Sequence, residues 1–266
     1  MKIVTWNINS IRLRLPSLLN LISTLNPDII CLQETKCPDD KFPYDELIKI
    51  GFQHIAIKGQ PSYNGVAILS KVKIKSILHH DFCNKKDSRY IGIETAKTKN
   101  IGPLIIHNFY VPAGGDEPNP EINEKFQHKL LFLDEMKDYL SESIKKPIGQ
   151  IVTGDLNIAP HENDVWSHKA LKNIISHTEI EINKLNTICN PEKWCDALRH
   201  EILDSEKIYT WWSYRNKDWE KSNRGRRLDH IWITKNIEEL KKDILIYKNT
   251  RNWDRPSDHV PVMITI

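Results

Sequence analysis

Carboxylate and carboxamide side chains in this sequence recur directly after short apolar runs. In the segment IVTGDLN, residues 151–157, the β-branched residues predict a buried strand, and Gly154 is expected to end it. Asp155 and Asn157 are two residues apart, so in extended backbone their side chains lie on the same face. A carboxylate and a carboxamide are therefore expected together at a strand end, with an Asx-rich turn as the alternative for a single motif.

Other polar residues occupy the ends of predicted strands or the turn before one. The residues concerned are Asn7, Glu34, Tyr110, Asp229, Asp258 and His259. Glu34 closes an apolar run, and burying its carboxylate without a partner is unfavourable. A metal ion or a cationic ligand is the expected partner, and a structural salt bridge is the alternative.

These side chains together have the chemistry of a site for a hard divalent cation. Oxygen-rich ligation by Glu34, Asp155, Asp229 and Asp258, without cysteine, suits Mg²⁺ or Mn²⁺ better than Zn²⁺. A carboxylate can deprotonate water, while a metal, an amide and an imidazole can stabilise charge on phosphorus. The chain has no GxxxxGK[ST] phosphate loop and no nucleophilic Ser or Cys motif. The residue types therefore favour metal-assisted hydrolysis of a phosphodiester by water.

Composition sets limits on the class of protein. The 266 residues are 39% hydrophobic and 27% charged, which favours a globular protein with one domain over residues 1–266. No apolar run approaches the roughly 18 residues that span a membrane, and the N-terminus lacks a secretory pattern. Five cysteines without a CxxC pair favour reduced thiols and a cytoplasmic location. A net charge of only +3 means that an anionic partner must bind to local patches.

Hydrophobic periodicity predicts the elements that position these residues. Helices are expected over residues 11–25, 42–50 and 121–143, with short helices in 160–205. Strands are expected over residues 2–9, 28–34, 52–57, 66–70, 71–77, 89–94, 104–110, 151–153 and 228–233. Many strands with few helices predict an α/β fold in which two sheets pack face to face and helices cover the outside.

The sequence closely resembles the exonuclease III family of apurinic/apyrimidinic endonucleases, within the DNase I-like endonuclease/exonuclease/phosphatase superfamily. The matching stretches are TWNINSIR, DIICLQETK, YNGVAILSK, NFYVPAGG, TGDLNIAP, RGRRLDHIW and SDHVPV. They occur in family order over essentially the whole chain, and LQETK with RGRRLDH narrows the match beyond the superfamily. The resemblance implies a four-layer αββα sandwich. It also implies cleavage of DNA 5′ to abasic sites, with 3′ repair phosphodiesterase and 3′→5′ exonuclease activities in base excision repair.

The resemblance also implies a metal site. Glu34 matches the principal metal carboxylate, Asn7 lies beside it, and Asp258 matches a further metal-site carboxylate. One or two ions are implied, Mg²⁺ with Mn²⁺ as a substitute. The second position would be lined by Asp155, Asn157 and His259.

Five residues match the family's catalytic positions. Asp155 matches the residue that activates or orients the water, and Asn157 matches the transition-state stabiliser. Tyr110 matches the tyrosine near the scissile phosphate, and His259 matches the histidine on the phosphate. Asp229 matches the carboxylate that orients this histidine.

Substrate recognition is assigned to residues 209–229. By spacing, Trp211 and Leu228 match the walls of the abasic-sugar pocket, with Trp212 as the rival of Trp211. DNA phosphates are expected on the basic segment, whose positively charged members are Arg215, Lys217, Lys221, Arg224, Arg226 and Arg227. A solvated loop is the alternative for this segment. Arg226 and Asn9 depart from the residues of several relatives, so pocket shape and metal ligation differ there.

The implied partner is double-stranded DNA that carries abasic sites or blocked 3′ ends. The chain is expected to act as a monomer in the bacterial cytoplasm, on the nucleoid and without a membrane. Two other functions share part of the pattern: a lipid or inositol-phosphate phosphatase of the same superfamily, and a DNA-binding scaffold without catalysis. Metal-dependent turnover of an abasic duplex distinguishes the three.

Overall fold

The structure is a computed structural model that describes residues 1–216 and 218–266, so Lys217 of the basic segment lies outside the described residues. The strands are β1 (Lys2–Asn7), β2 (Ile29–Gln33), β3 (His54–Lys58), β4 (Val66–Ser70), β5 (Ile74–Leu78), β6 (Tyr90–Thr95), β7 (Leu104–Tyr110), β8 (Gly149–Asp155), β9 (Trp194–Asp196), β10 (Trp211–Trp212), β11 (Gly225–Arg226), β12 (Asp229–Thr234), β13 (Asp243–Ile246) and β14 (Val262–Thr265). The helices are α1 (Leu15–Leu25), α2 (Tyr44–Lys49), α3 (Glu124–Ser143), α4 (His168–Leu171), α5 (Glu179–Ile188), α6 (Ala197–Glu201) and α7 (Trp219–Ser222).

Twelve of these strands form two six-stranded sheets. The first has the order β13-β14-β1-β2-β4-β3, and the second has the order β5-β6-β7-β8-β12-β9. In each sheet one central pair is parallel, β1 with β2 and β7 with β8, so their carboxyl ends share an edge. The short strands β10 and β11 pair separately.

Successive side chains along the strands point to opposite faces of each sheet, and this arrangement gives four layers, two of sheet and two of helix. Ile3 and Ile29 of the first sheet share one buried cluster with Ile106 and Ile151 of the second, which places this core between the sheets. The neighbouring residues point outwards instead. Those of the first sheet pack on α1, and those of the second pack on α3 and α5. The predicted αββα sandwich is confirmed.

One polar contact interrupts the apolar interface between the sheets. The Gln33 side chain donates to Asn108 Oδ1 at 2.6 Å and to Thr5 Oγ1 at 3.0 Å. The Asn108 amide donates in turn to the carbonyls of Leu32 at 2.9 Å and Ala67 at 3.0 Å. All of these groups are buried, so the contact ties β2 of one sheet to β7 of the other.

Gly154 does not end its strand, contrary to the prediction. Strand β8 continues through it to Asp155, and Gly154 has a φ of +141° that other residues rarely adopt. A Cβ atom added there would lie 1.9 Å from the carbonyl oxygen of Phe109 on β7. Glycine is therefore required for the close approach of two backbones beside the site.

Several predicted boundaries were too generous. Helix α1 begins at Leu15 rather than residue 11, and α3 begins at Glu124 because the Asn123 side chain caps it, accepting the N–H groups of residues 125 and 126. Strand β9 was not predicted from the polar segment 160–205. The five cysteines are unpaired, which agrees with the expected reduced thiols.

No helix in the described part of the chain is both long and apolar enough to cross a membrane.

Candidate active site

The predicted site residues meet at one edge of the sandwich, where both parallel strand pairs end. Asn7 is the last residue of β1, and Glu34 directly follows β2. In the second sheet Tyr110 pairs with Asp155, the last residues of β7 and β8, and Asp229 of the antiparallel β12 pairs with Asp155 from the other side. Tyr110, Asp155 and Asp229 therefore form a row across three strands.

Hydrogen bonds join the two sheets within the site. The Asn7 amide donates to Glu34 Oε1 at 3.0 Å and to Asp155 Oδ2 at 2.9 Å, and the Tyr110 hydroxyl donates to Glu34 Oε1 at 2.8 Å. Glu34 Oε2 pairs with the Lys36 ammonium at 2.8 Å. Glu34 has a left-handed φ of +51°, an unfavourable conformation for glutamate, and such strain is frequent at functional sites.

His259 lies between two buried carboxylates. Its Nδ1 donates to Asp229 Oδ2 at 2.8 Å, and its Nε2 lies 3.6 Å from Asp155 Oδ2. Burial alone would lower the pKa of His259, but the charges of Asp229 and Asp155 raise it to about 10. Burial raises the pKa of Asp155 to about 7, with the charge of Asp229 adding to it and that of His259 opposing it. The two carboxylates therefore favour the protonated form of the imidazole.

Asn157 is held against Asp155 by a tight turn. Its backbone N–H donates to Asp155 Oδ1 at 3.0 Å, and its amide donates to the Val111 carbonyl at 2.9 Å and to Asp155 Oδ2 at 3.2 Å. The residue has a left-handed φ of +54°, so the two side chains meet without the extended backbone that the sequence predicted.

A buried lysine beneath Asn157 was missed in the sequence. Lys129 on α3 donates to the Asn157 carbonyl at 2.8 Å and pairs with Glu181 at 2.5 Å, and neither side chain of this pair is exposed. Its position between Phe126 and Leu130, on the apolar stripe of α3, is the signal that could have identified it.

Asp258 lies beside the carboxylates of the site, but its hydrogen bonds are made with other residues. Its Oδ1 accepts from the Asn9 amide at 3.1 Å, and its Oδ2 accepts from Trp211 Nε1 at 2.9 Å. Arg14, also missed, fixes this corner, since it donates to the Asn9 carbonyl, to Tyr214 Oη at 2.9 Å and to the Pro256 carbonyl at 3.1 Å.

The donor set fits a divalent cation. Ligand atoms of Asp155, Asp229 and His259 lie within 4.8 Å of one another, and two carboxylates there share one imidazole. The buried Asp229 Oδ1 has no hydrogen-bond partner among the described residues. Carboxylate oxygens with surplus negative charge, beside an imidazole that can bind a metal once its Nε2 is deprotonated, match the preferences of a hard divalent ion.

The two candidate pocket tryptophans have different surroundings. Trp211 is half-buried and packs with Leu228, Val165 and Leu171. Trp212 is fully buried, and Tyr209 and Trp219 meet its ring edge-to-face. The structure thus brings Trp211 and Leu228 together beside Asp258 and places Trp212 in the core.

The positively charged side chains of the basic segment differ in exposure: some face the solvent, and others are partly or fully buried. Arg215, Lys221 and Arg224 are exposed, and the Arg224 guanidinium lies 4.8 Å from the centre of the Trp166 ring. Arg227 does not belong to a DNA-facing cluster, contrary to the prediction. It is fully buried and pairs with Asp164 at 2.8 Å and Asp196 at 2.7 Å. Sequence alone gave no sign of these partners, which lie 63 and 31 residues away.

Comparison with known proteins agrees with this fold and site. The sequence profile of the Endonuclease/Exonuclease/phosphatase family matches residues 4–259. The exodeoxyribonuclease III of Haemophilus influenzae is 28% identical over 271 residues, covering 98% of each chain. A Neisseria 3′ phosphatase, solved with a product DNA hairpin, is 29% identical with a TM-score of 0.90 and covers 100% of this chain and 99% of its own. An AP endonuclease from Archaeoglobus fulgidus is 31% identical with a TM-score of 0.89 at the same coverage.

The chain therefore belongs to the endonuclease/exonuclease/phosphatase family. Its relatives carry the names exodeoxyribonuclease III and AP endonuclease, so the resemblance predicted from the sequence is confirmed.

Proposed function

We propose that this chain is a metal-dependent DNA phosphodiesterase of base excision repair. It cleaves the strand 5′ to an abasic site and also acts at 3′ ends as a repair phosphodiesterase and 3′→5′ exonuclease. The observation that carries this proposal is the buried group formed by Asp155, His259 and Asp229, joined to Glu34 through the Asn7 amide. Water activation and phosphate binding are thereby assembled at one place.

Glu34, Asp258 and Asn7 are the proposed ligands of Mg²⁺, with Mn²⁺ as a substitute. If a second ion binds, Asp155 and Asn157 would hold it, and His259 would join them only in its neutral form, whose Nε2 carries a free electron pair. When bound, Mg²⁺ supplies neutralisation of the negative charge that develops on the phosphate.

Asp155 is the proposed base for the attacking water. A pKa of about 7 lies near the working pH, where a general base combines the right protonation state with useful basicity. The water oxygen bonds to phosphorus, its proton passes to Asp155, and the bond from phosphorus to the 3′ oxygen breaks. The leaving oxygen takes its proton from water.

Three neighbouring groups stabilise the phosphoryl oxygens. The Nε2–H of protonated His259 donates a hydrogen bond to them, and Asp229 keeps the imidazole oriented. The Asn157 amide would donate as well, once one of its N–H groups turns from Asp155 Oδ2 to the phosphate. The Tyr110 hydroxyl, which donates to Glu34, completes the surroundings of the scissile phosphate.

Duplex DNA with abasic sites or blocked 3′ ends is the proposed substrate of this chain, acting as a monomer. An abasic nucleotide has no base to unstack, so it is extruded more easily than an intact one. Trp211 and Leu228 would wall a pocket that accepts the bare sugar and excludes a base. Exposed Arg224 and Lys221 would bind backbone phosphates, which gives affinity without specificity.

The deciding experiment is turnover of a duplex with one abasic-site analogue, with Mg²⁺ and then with excess EDTA. We expect Mg²⁺-dependent cleavage 5′ to the analogue and no cleavage of the same duplex by Asp155→Asn. An inositol phosphate tested in parallel should not be hydrolysed. Hydrolysis of that substrate alone would identify a phosphatase instead, and DNA binding without turnover would identify a scaffold.

A further inference from the structure

Arg226, the last residue of β11, and Arg227, which directly follows it, differ in how their positive charges are neutralised. Arg227 is fully buried and neutralised by two carboxylates. Arg226 is half-buried, yet no carboxylate oxygen of the described residues lies within the 4.0 Å of an ion pair from its guanidinium. The Glu181 carboxylate is near enough to favour the charge of Arg226, but it is already paired with Lys129 at 2.5 Å, so the half-buried guanidinium keeps positive charge that an anion from outside the chain would neutralise.

The position of Arg226 is nevertheless fixed. Its Nη1 donates to the Ile175 carbonyl at 3.0 Å and to Ser176 Oγ at 2.6 Å, and its guanidinium lies 5.5 Å from the centre of the Trp211 ring. Its Nη2 and Nε have no protein acceptor among the described residues. One side of the fork is therefore anchored while the other side keeps donors for a ligand.

These donors belong to a cleft that lies beside the active site, with the Trp211 ring between the two. The cleft has a volume of 580 Å³ and is lined by Trp211, Arg226, Arg224 and Trp166 among others. The far edge of the Trp211 indole donates to Asp258, the residue before His259, so a single aromatic ring separates the Arg226 guanidinium from the metal-site carboxylate. Asp116 also lines the cleft but is exposed and forms no ion pair with Arg226.

We propose that Arg226 binds a substrate phosphate within one nucleotide of the scissile bond and thereby determines specificity in this chain. The proposal rests on the proposed function. The guanidinium fork suits two phosphate oxygens, and its anchorage on Ile175 and Ser176 fixes the direction from which a strand must enter. Two sources supply such a phosphate: an internucleotide phosphate that flanks the break, or a terminal phosphate that blocks a 3′ end.

The test combines protein variants with neutralised phosphates. Wild type, Arg226→Met and Arg226→Lys are compared on an abasic-analogue duplex in which one phosphate at a time is replaced by an uncharged methylphosphonate. A nicked duplex ending in a 3′ phosphate and one ending in a 3′ hydroxyl form the second arm. Lys145→Met is the matched control, because it removes one positive charge from an ion-paired residue 68% exposed, just ahead of the start of β8, whereas the site lies at its far end.

We expect Arg226→Met to raise KM about tenfold with a smaller change in kcat, which corresponds to one lost charge-assisted contact. At the position that Arg226 contacts, a methylphosphonate should raise the KM of wild type about tenfold and leave the KM of Arg226→Met unchanged. The effect on Arg226→Lys should fall between these two. If this position is internal, the contact is a flanking phosphate. If instead Arg226→Met removes only the preference for the 3′ phosphate over the 3′ hydroxyl, the contact is the terminal group.

The assignment would be overturned if the effects of Arg226→Met and of the methylphosphonate on KM were additive at every position. It would also be overturned if Arg226→Met had the same KM as Lys145→Met. The proposed function would stand in both cases. A wild type that cleaves none of these duplexes would overturn the proposed function itself. Because Arg226→Lys keeps the charge but not the planar fork, it gives a smaller effect at the same phosphate if Arg226→Met does not fold.

Discussion

His259 donates its Nδ1–H to Asp229 Oδ2 at 2.8 Å, and both side chains are buried. This bond fixes both the orientation of the ring and the nitrogen that faces the substrate, because only Nε2 is left to point towards Asp155. The pair therefore prepares a donor for the phosphate before any substrate arrives.

Asp229→Asn should lower kcat by about 10- to 100-fold, since loss of an orienting partner has effects of this size. His259→Ala should lower it at least as much, because the donor itself is removed. The measurement is single-turnover cleavage of an abasic duplex, with Asp254→Asn, which alters a carboxylate 96% exposed, as the control. An Asp229→Asn rate equal to that of the control would contradict the orienting role.

Asp155→Asn keeps the shape of the side chain but removes the base, so turnover should fall by at least about 10²-fold. Affinity for abasic DNA should be kept or improved, because a negative charge near the phosphate is lost. Binding is measured by fluorescence anisotropy with the metal omitted, and cleavage is measured on the same duplex. Near-normal turnover would show that another group activates the water.

Excess EDTA should abolish cleavage and Mg²⁺ should restore it, while the circular dichroism spectrum stays unchanged. Glu34→Gln should require more Mg²⁺ for half-maximal activity, because it removes a charged ligand while its carbonyl still accepts from Asn7 and Tyr110. Lys36→Met is the companion variant, since it removes the ammonium paired with Glu34. An identical Mg²⁺ titration for wild type and Glu34→Gln would make Glu34 structural.

Trp211→Ala and Trp212→Ala should have different effects. Trp212 is fully buried, so its truncation should lower the free energy of unfolding by about 3–5 kcal/mol. Trp211 is half-buried at the proposed pocket, so its truncation should mainly lower the preference for abasic over intact DNA. Urea unfolding and the ratio of cleavage rates on the two duplexes separate the effects. A changed ratio for Trp212→Ala alone would move the pocket to that residue.

Acid should destabilise the protein through Asp164. Burial opposes ionisation, but the charges of Arg227 and Arg199 lower the pKa of Asp164 from 3.8 to about 2. A carboxyl with a lowered folded-state pKa stabilises the fold above its unfolded pKa, and this stabilisation is lost as pH falls from about 4 to 2. The lowering corresponds to about 2 kcal/mol. Asp164→Asn should flatten this part of the stability curve in urea titrations, and an unchanged slope would assign the acid sensitivity to other carboxyls.

The sequence was informative where local pattern and chemistry coincide. Glu34 directly follows the apolar strand β2 and Tyr110 ends the apolar strand β7, so the sequence placed both at strand ends, although their contact depends on how the two sheets pack. Helix ends were less predictable, because the cap at Asn123 outweighs the apolar residues before it.

Contacts distant in sequence could not be predicted. Arg227 was predicted to face DNA and Lys129 was not singled out, yet both are fully buried because partners on other elements neutralise them. Gly154 read as a strand break, since the proximity of Phe109 on the neighbouring strand cannot be seen in its own segment. In each case the decisive neighbour belongs to a different part of the chain.

The contact between Gln33 and Asn108 makes catalysis sensitive to how the two halves of the sandwich are aligned. Gln33 precedes Glu34 by one residue, and Asn108 precedes Tyr110 by two, so the same pair of strands carries the contact and part of the site. Sliding one sheet past the other by a single residue, about 3.3 Å, would break this contact and separate Glu34 from Tyr110, although each sheet would keep its own hydrogen bonds. Loss of activity on heating would then precede loss of secondary structure, and the enzyme would stop working while still largely folded.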